Sequence, residues 1–192
     1  YDTCSRCDYT TFKELLAPGH DYQNGLWVTD NILHRKQCAN CDSTDTPENH
    51  TFGEWSGGSR VCEVCGYEEL QTITVTITWG AMAFTYTDGD WDPETHSSLP
   101  GKWAADSTDG NMITVENSGN SEVDVSFVYA KSDDNSAVDG RFANEQGSDI
   151  EGFAALPVGD KKYARLLLSG KPEHSMSAET VGTVTVCLGG NT

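Results

Sequence analysis

The run QTITVTITW (71–79) decides the fold of the larger part of this chain. Ile73, Val75, Ile77 and Trp79 fall on one side, and Thr72, Thr74, Thr76 and Thr78 on the other. A repeat of two residues is that of a pleated strand with one buried face. AMAFTYT (81–87) continues the alternation through Met82, Phe84 and Tyr86, and Gly80 marks a bend or bulge between the two runs. Downstream, 88–110 is punctuated by Asp88-Gly89, Asp92-Pro93, Pro100-Gly101 and Asp109-Gly110, which read as turns. Strands resume at NMITVEN (111–117) and SEVDVSFVYA (121–130), with a tight turn at 117–120 that predicts a hairpin between them. The stretch 131–158 is polar and Gly-rich, and 161–168 and 180–188 complete the set. Six or seven short strands without a convincing helix predict an antiparallel β-sandwich over 70–192, with a barrel as the variant. A last strand so placed either closes its own sheet or serves the edge of a neighbour's.

Upstream the text changes character. Residues 1–69 hold three Cys-x2-Cys pairs, Cys4/Cys7, Cys38/Cys41 and Cys62/Cys65, with His20, His34 and His50 among them. Apolar residues are too sparse here to offset the chain entropy of so short a segment, so staples are expected. Only 11–17 (TFKELLA) looks helical, ended by Pro18-Gly19.

Two cysteines separated by two residues present both sulfurs to one ion from a single tight turn, and zinc takes thiolate and imidazole in a tetrahedron. Nine candidate ligands suffice for two four-coordinate sites with one left over: Cys4, Cys7, His20, His34, Cys38, Cys41, His50, Cys62 and Cys65. One grouping is local, His34-x3-Cys38-x2-Cys41-x8-His50, leaving the outer pairs to form a Cys4 or Cys3His site. The competing grouping joins Cys38/Cys41 to Cys62/Cys65 across a 20-residue loop. Haem is excluded, because Asp8, Asp42 and Gly66 follow the pairs where c-type attachment needs histidine. Disulfides would use the cysteines but leave the histidines unexplained. Ligands in surplus and the lack of a His-Glu-x-x-His helix point to structural rather than catalytic metal.

Acidic residues number 30 against 12 basic, a net charge of −18. They outnumber the basic ones 12 to 5 through residue 70 and 18 to 7 afterwards. Without a Lys/Arg cluster to neutralise phosphates, nucleic acid is not an expected partner, and an anionic membrane surface is disfavoured likewise. No apolar run approaches the roughly 20 residues of a membrane span. The Thr/Ser/Asn/Gly-rich texture and the acidity suit an extracellular or cell-surface protein. The chain opens at Tyr1, as a mature secreted protein or an excised fragment would.

A knuckle, a histidine and a tryptophan recur as Cys4/Cys7, His20, Trp27 and as Cys38/Cys41, His50, Trp55, before the closing Cys62-Glu63-Val64-Cys65-Gly66-Tyr67. This pattern resembles the Cys/His/Trp repeat modules of secreted and surface proteins of gut Firmicutes. TWGAMAFTYTDGDW (78–91), MITVENSG (112–119) and TVGTVTV (180–186) resemble the terminal β-domains of such proteins. The resemblance implies a surface location and a sandwich, and no activity.

The remaining candidates are weaker. Asp88, Asp90 and Asp92 alternate as calcium ligands do, but Pro93 stands where an EF-hand needs glycine and no helices flank the loop. Asp133, Asp134 and Asp139 form a second acidic loop. Trp91 and Trp103 sit in a long loop, where exposed rings stack on sugars or cap a sandwich core. His96 and His174 read as solvated. No Gly-x-Ser-x-Gly or other nucleophile signature appears, so an enzyme is not expected. The expectation is a non-enzymatic structural protein, a surface or filament-forming subunit that self-associates or binds other surface proteins. An adhesin or glycan-binding module is the alternative.

Overall fold

The structure is a computed structural model describing residues 5–7, 19–173 and 179–189, together with the backbone at 2, 3, 10 and 11. The chain divides into two compact units, Tyr1–Leu70 and Gln71–Thr192. Both are built from antiparallel strands.

In the first unit, β1 (Asp2–Thr3) pairs with β2 (Thr10–Thr11). Thr11 therefore belongs to a strand, and 12–17 of the expected helix lie outside the described residues. A three-stranded sheet follows, from β3 (Trp27–Thr29), β4 (Leu33–Lys36) and β5 (Glu48–Asn49). Then comes a hairpin of β6 (Ser59–Val61) and β7 (Glu68–Leu70). Its largest fully buried side chains are His34 and Cys62, so ligand-type residues occupy the place of a hydrophobic core. Arg60 adds a stacked layer: its guanidinium lies 4.3 Å from the Phe52 ring centre and 4.6 Å from that of Trp55, and it bonds Glu69.

The second unit is a sandwich of a four-stranded and a three-stranded sheet. The first runs β15-β17-β13-β8 and the second β16-β14-β18. Here β8 is Val75–Trp79, β13 Met112–Asn117, β14 Val123–Lys131, β15 Asp139–Ala143, β16 Ala154–Leu156, β17 Lys161–Ser169 and β18 Gly182–Gly189. Short ribbons complete it: β9 (Phe84–Thr87) with β12 (Lys102–Ala105), and β10 (Trp91–Asp92) with β11 (Ser97–Ser98). The core is the inward set of both sheets, with Val115, Val123 and Val125 fully buried and Ile113, Phe142 and Leu166 nearly so. Gly80 carries the bend between β8 and β9: a Cβ there would lie 2.4 Å from the Asp109 carbonyl oxygen.

The expected hairpin between 111–117 and 121–130 does not form. β13 pairs with β17 and β8, whereas β14 pairs with β16 and β18, so the chain crosses between sheets at 117–121. Both strands bury a complete apolar face, and placing them in opposite sheets brings those faces together. Asn117 directs the crossing. Fully buried, it donates Nδ2 to the carbonyls of Ser121 (2.8 Å) and Leu156 (3.0 Å) and accepts at Oδ1 from Gly119 N–H (3.0 Å). Asn117→Ala would strand these three backbone groups at about 1 kcal/mol or more each. We expect a loss of about 3 kcal/mol and a thermal midpoint for this unit lower by more than about 10 °C, read by differential scanning calorimetry. An unchanged midpoint would remove Asn117 from this account.

Candidate metal centre

Two groups of ligand-type side chains gather in the first unit, and they are neither the local His34/Cys38/Cys41/His50 set nor the joined Cys38/Cys41 and Cys62/Cys65 pairs. His34, His50, Cys62 and Cys65 place one ligand atom each within 4.8 Å of one another, as do His20, Cys38 and Cys41. The groups interleave along the chain, with His34 lying between His20 and Cys38 and the Cys38/Cys41 pair between His34 and His50. The reason is the extended backbone after His34. β4 carries the chain extended through Lys36 and Gln37 bridges to Thr44, so Cys38 is led away from His34 rather than folded back onto it.

Strand pairing assembles the first group instead. His34 pairs with Glu48 across β4 and β5, which brings the chain entering His50 alongside. Phe52 bridges to Cys62, with Gly53 N–H bonding the Val61 carbonyl and Glu63 N–H the Thr51 carbonyl, so His50 meets the knuckle. The knuckle closes through Gly66 N–H to the Cys62 carbonyl (2.9 Å), and Gly66 takes the left-handed φ of 75° that glycine adopts freely.

The geometry fits a tetrahedral zinc ion. With Zn–N near 2.05 Å and Zn–S near 2.3 Å, tetrahedral edges are about 3.3 Å for N···N and about 3.5 Å for S···N. Here His34 Nδ1 and His50 Nδ1 are 3.4 Å apart, Cys65 Sγ is 3.4 Å from His50 Nδ1, and Cys62 Sγ is 3.7 Å from His34 Nδ1. Supporting contacts orient the rings. His50 Nε2 lies 2.8 Å from the Asp30 carbonyl, which places the proton on Nε2 and the Nδ1 lone pair toward the cluster. Asp30 is itself fixed by its carboxylate, which accepts from Ile32 and Leu33 N–H. Tyr67 stacks on His50 at 4.7 Å and Trp27 stands edge-on to His34 at 4.9 Å. His34 Nε2 is buried without a hydrogen-bond partner, so Nδ1 is the atom through which that ring acts.

Electrostatics agree. Burial opposes the Cys62 thiolate, but Cys65 N–H, His50 and Val64 N–H outweigh it and bring the thiol down to about 5. Burial and the neighbouring Cys62 charge push Cys65 up. His50 is raised, with Cys62 and the Asp30 carbonyl overcoming the effect of burial. Two thiolates this close repel one another, and a divalent cation between them would relieve that repulsion.

The second group is more open. Cys38 is buried, while His20 and Cys41 are exposed. Cys41 Sγ lies 3.2 Å from His20 Nδ1, and Cys38 Sγ accepts from Asp21 and Asn40 N–H at 3.4 Å each. The Asn40 N–H leads in lowering Cys38 to about 6, with His20 and Asp21 N–H adding to it against burial. Cys7 is exposed and joins neither group, and Cys4 lies outside the described residues. All the described cysteines, Cys187 included, carry free thiols.

Protons and metal compete for these thiolates, so acid releases metal. Stability owed to a thiolate of lowered pKa is full above its ordinary value of 9.0 and lost as pH falls through the lowered one, about 6 for Cys38 and about 5 for Cys62. With three described donors, two of them exposed, the second group should release before the four-donor set, giving two steps when zinc is followed with a chromophoric chelator from about pH 8 to about pH 4. Release in one step, or from the buried group first, would contradict this order.

Other sequence candidates disperse. Asp88 pairs with Lys171 (2.8 Å), and Asp92 accepts from Glu94 N–H and the Thr95 hydroxyl, so Asp88, Asp90 and Asp92 do not form a cage. Asp139 pairs with Lys131 rather than gathering with Asp133 and Asp134. Trp91 is 62% exposed on the β10–β11 ribbon. Trp103 instead packs on Tyr86 at 5.1 Å and donates Nε1–H to the Gly170 carbonyl (2.8 Å), so its polar atom is used by the fold. His96 is exposed, and His174 lies outside the described residues. No helix is long and apolar enough to cross a membrane among the described residues. Comparison with protein-family models, with curated proteins and with solved structures finds no match to this chain.

Proposed function

We propose that the chain is a non-enzymatic structural subunit of an extracellular or cell-surface assembly, filament-forming or built with other surface proteins, whose N-terminal unit is held by two zinc ions. The observation that carries the metal-held, non-enzymatic part of this reading is the closed donor set of His34, His50, Cys62 and Cys65. Four protein ligands at tetrahedral spacing leave no position for a water nucleophile, so metal bound there holds the fold rather than reacting. The net charge of −18 suits a soluble surface location and supports no nucleic-acid partner. Elemental analysis with a native free-thiol count tests the metal: two zinc ions per chain are expected, and a metal-free folded chain would sink this reading. Electron microscopy of concentrated zinc-loaded protein tests self-assembly, and dispersed monomers would remove the filament-forming version.

An adhesin reading draws on one observation, the exposed Trp91 ring. A glycan array run with the native chain and with Trp91→Ala tests it. Binding indifferent to the substitution would detach that ring from any glycan site.

A further inference from the structure

The sandwich is open along one side. β8 bonds only to β13 and β18 only to β14 among the described residues, so each offers a free strand edge. Between these edges the two sheets part to leave a groove of about 480 Å³. Ile77, Trp79 and Phe84 line one wall and Tyr129, Val184 and Val186 the other. Trp79, at the mouth, is 69% exposed, although its β8 neighbours Val75 and Ile77 are half-buried. Ile77, Phe84, Tyr129, Val184 and Val186 are packed on the core but only half-buried, and the backbone groups of the two edges have no strand partner among the described residues.

Beyond Phe84 the groove widens into a second space of about 880 Å³, rimmed by Asp88, Asp106, Glu173, Glu179 and Lys171. Lys171 is engaged by Asp88, so the rim is strongly acidic. Asp106 accepts the Thr85 hydroxyl and Glu173 the Ser136 hydroxyl, which fixes two of the carboxylates in place.

We propose that this groove is an acceptor site for one extended β-strand of a partner protein, carrying alternate aliphatic side chains and a lysine- or arginine-bearing end. The strand hydrogen-bonds to β18, whose eight residues set its length, and makes the three-stranded sheet four-stranded. Its aliphatic residues fill the cleft while its basic end lies over the carboxylate rim. A second copy of this chain is a poor donor. It brings another net −18 to an acidic rim. Its own strand with adjacent lysines, β17, opening at Lys161 and Lys162, is bonded on both edges by β13 and β15 and is not available. The inference holds whether or not the protein resides at a cell surface.

The test uses the zinc-loaded chain of both units and a fluorescent peptide of eight alternating threonines and valines with two lysines at one end. Anisotropy should show saturable binding. The same peptide ending in glutamates should bind at least about tenfold more weakly. A version N-methylated at every residue of the alternating run should not bind, because neither of its edges can then donate to β18. Hydrogen exchange should show new protection at 182–189 with the lysine peptide alone. No saturation, equal binding of lysine- and glutamate-ended peptides, or binding of the N-methylated peptide each overturn the proposal. So would dimerisation of the chain alone in sedimentation velocity if Ile77→Lys abolishes it, since the groove would then belong to a second copy.

Discussion

A strong chelator is expected to unfold Tyr1–Leu70 and leave Gln71–Thr192 intact. The first unit buries His34, Cys38 and Cys62 where a domain of its length ordinarily buries aliphatic side chains, and Leu26, Ile32, Val61 and Leu70 remain exposed. Its apolar burial cannot offset the conformational entropy of some seventy residues at about 1–2 kcal/mol each. Structural zinc in small finger modules supplies about 10–16 kcal/mol per ion, which is the scale of the missing term. Without metal the cluster is worse than neutral, because the Cys62 charge then opposes ionisation of Cys65 beside it. The second unit has its own core of fully buried valines and no ligand-type group among its described residues. Hydrogen exchange on the intact chain resolves the two units. Protection should vanish over 20–70 on chelation, persist over 112–131 and 161–169, and return with zinc. Retained protection over 20–70 would show that the donors are not the staple.

The sandwich was legible because period-two alternation records directly which side of a strand is buried. SEVDVSFVYA did so, with Val123, Val125 and Phe127 buried; in QTITVTITW only Val75–Trp79 is a strand, Val75 and Ile77 are half-buried, and Ile73 and Trp79 are exposed. What alternation cannot record is which neighbour a strand chooses. The turn at 117–120 looked like a hairpin because its residues suit a tight reversal. Asn117 suits a sheet crossing equally well, and only the carbonyls of Ser121 and Leu156 reveal which one occurs. β15 and β16 were hidden in the polar stretch 131–158, where each contributes only one or two buried residues, Phe142, Ala143 and Leu156. In the first unit, the ligand types and the knuckles were legible and their grouping was not. Spacing treats the chain between His34 and Cys38 as free to fold back, and β4 makes it extended. Trp27 and Tyr67 were quoted only as parts of a repeat, and Asp30 carried no signal that its carbonyl would orient His50.

Substitutions taken in pairs should expose the interleaved grouping as a pattern of zinc stoichiometry. His50→Ala and Cys62→Ala each remove a donor from one ion, so the double variant should lose one zinc equivalent, no more than either single change. His50→Ala combined with Cys41→Ala strikes both groups and should lose two. A local His34/Cys38/Cys41/His50 site predicts the reverse, with the second pair losing one and the first losing two. The effects on folding should be unequal. Loss of the buried four-donor group removes about 10–16 kcal/mol of binding from the segment that joins β4, β5 and the β6–β7 hairpin, and should leave 28–70 without protection. Loss of the exposed group through Cys41→Ala should loosen the chain around 20–24 and 37–43, where Ala39 N–H bonds the Asp21 carbonyl and Cys38 N–H that of Ser43, while the β6–β7 hairpin persists. Zinc counted on protein freed of loosely held metal, with exchange mapped on the same samples, separates the two schemes. Additive loss in the His50/Cys62 pair would reject the interleaved arrangement, since two donors of one ion cannot each release an ion of their own.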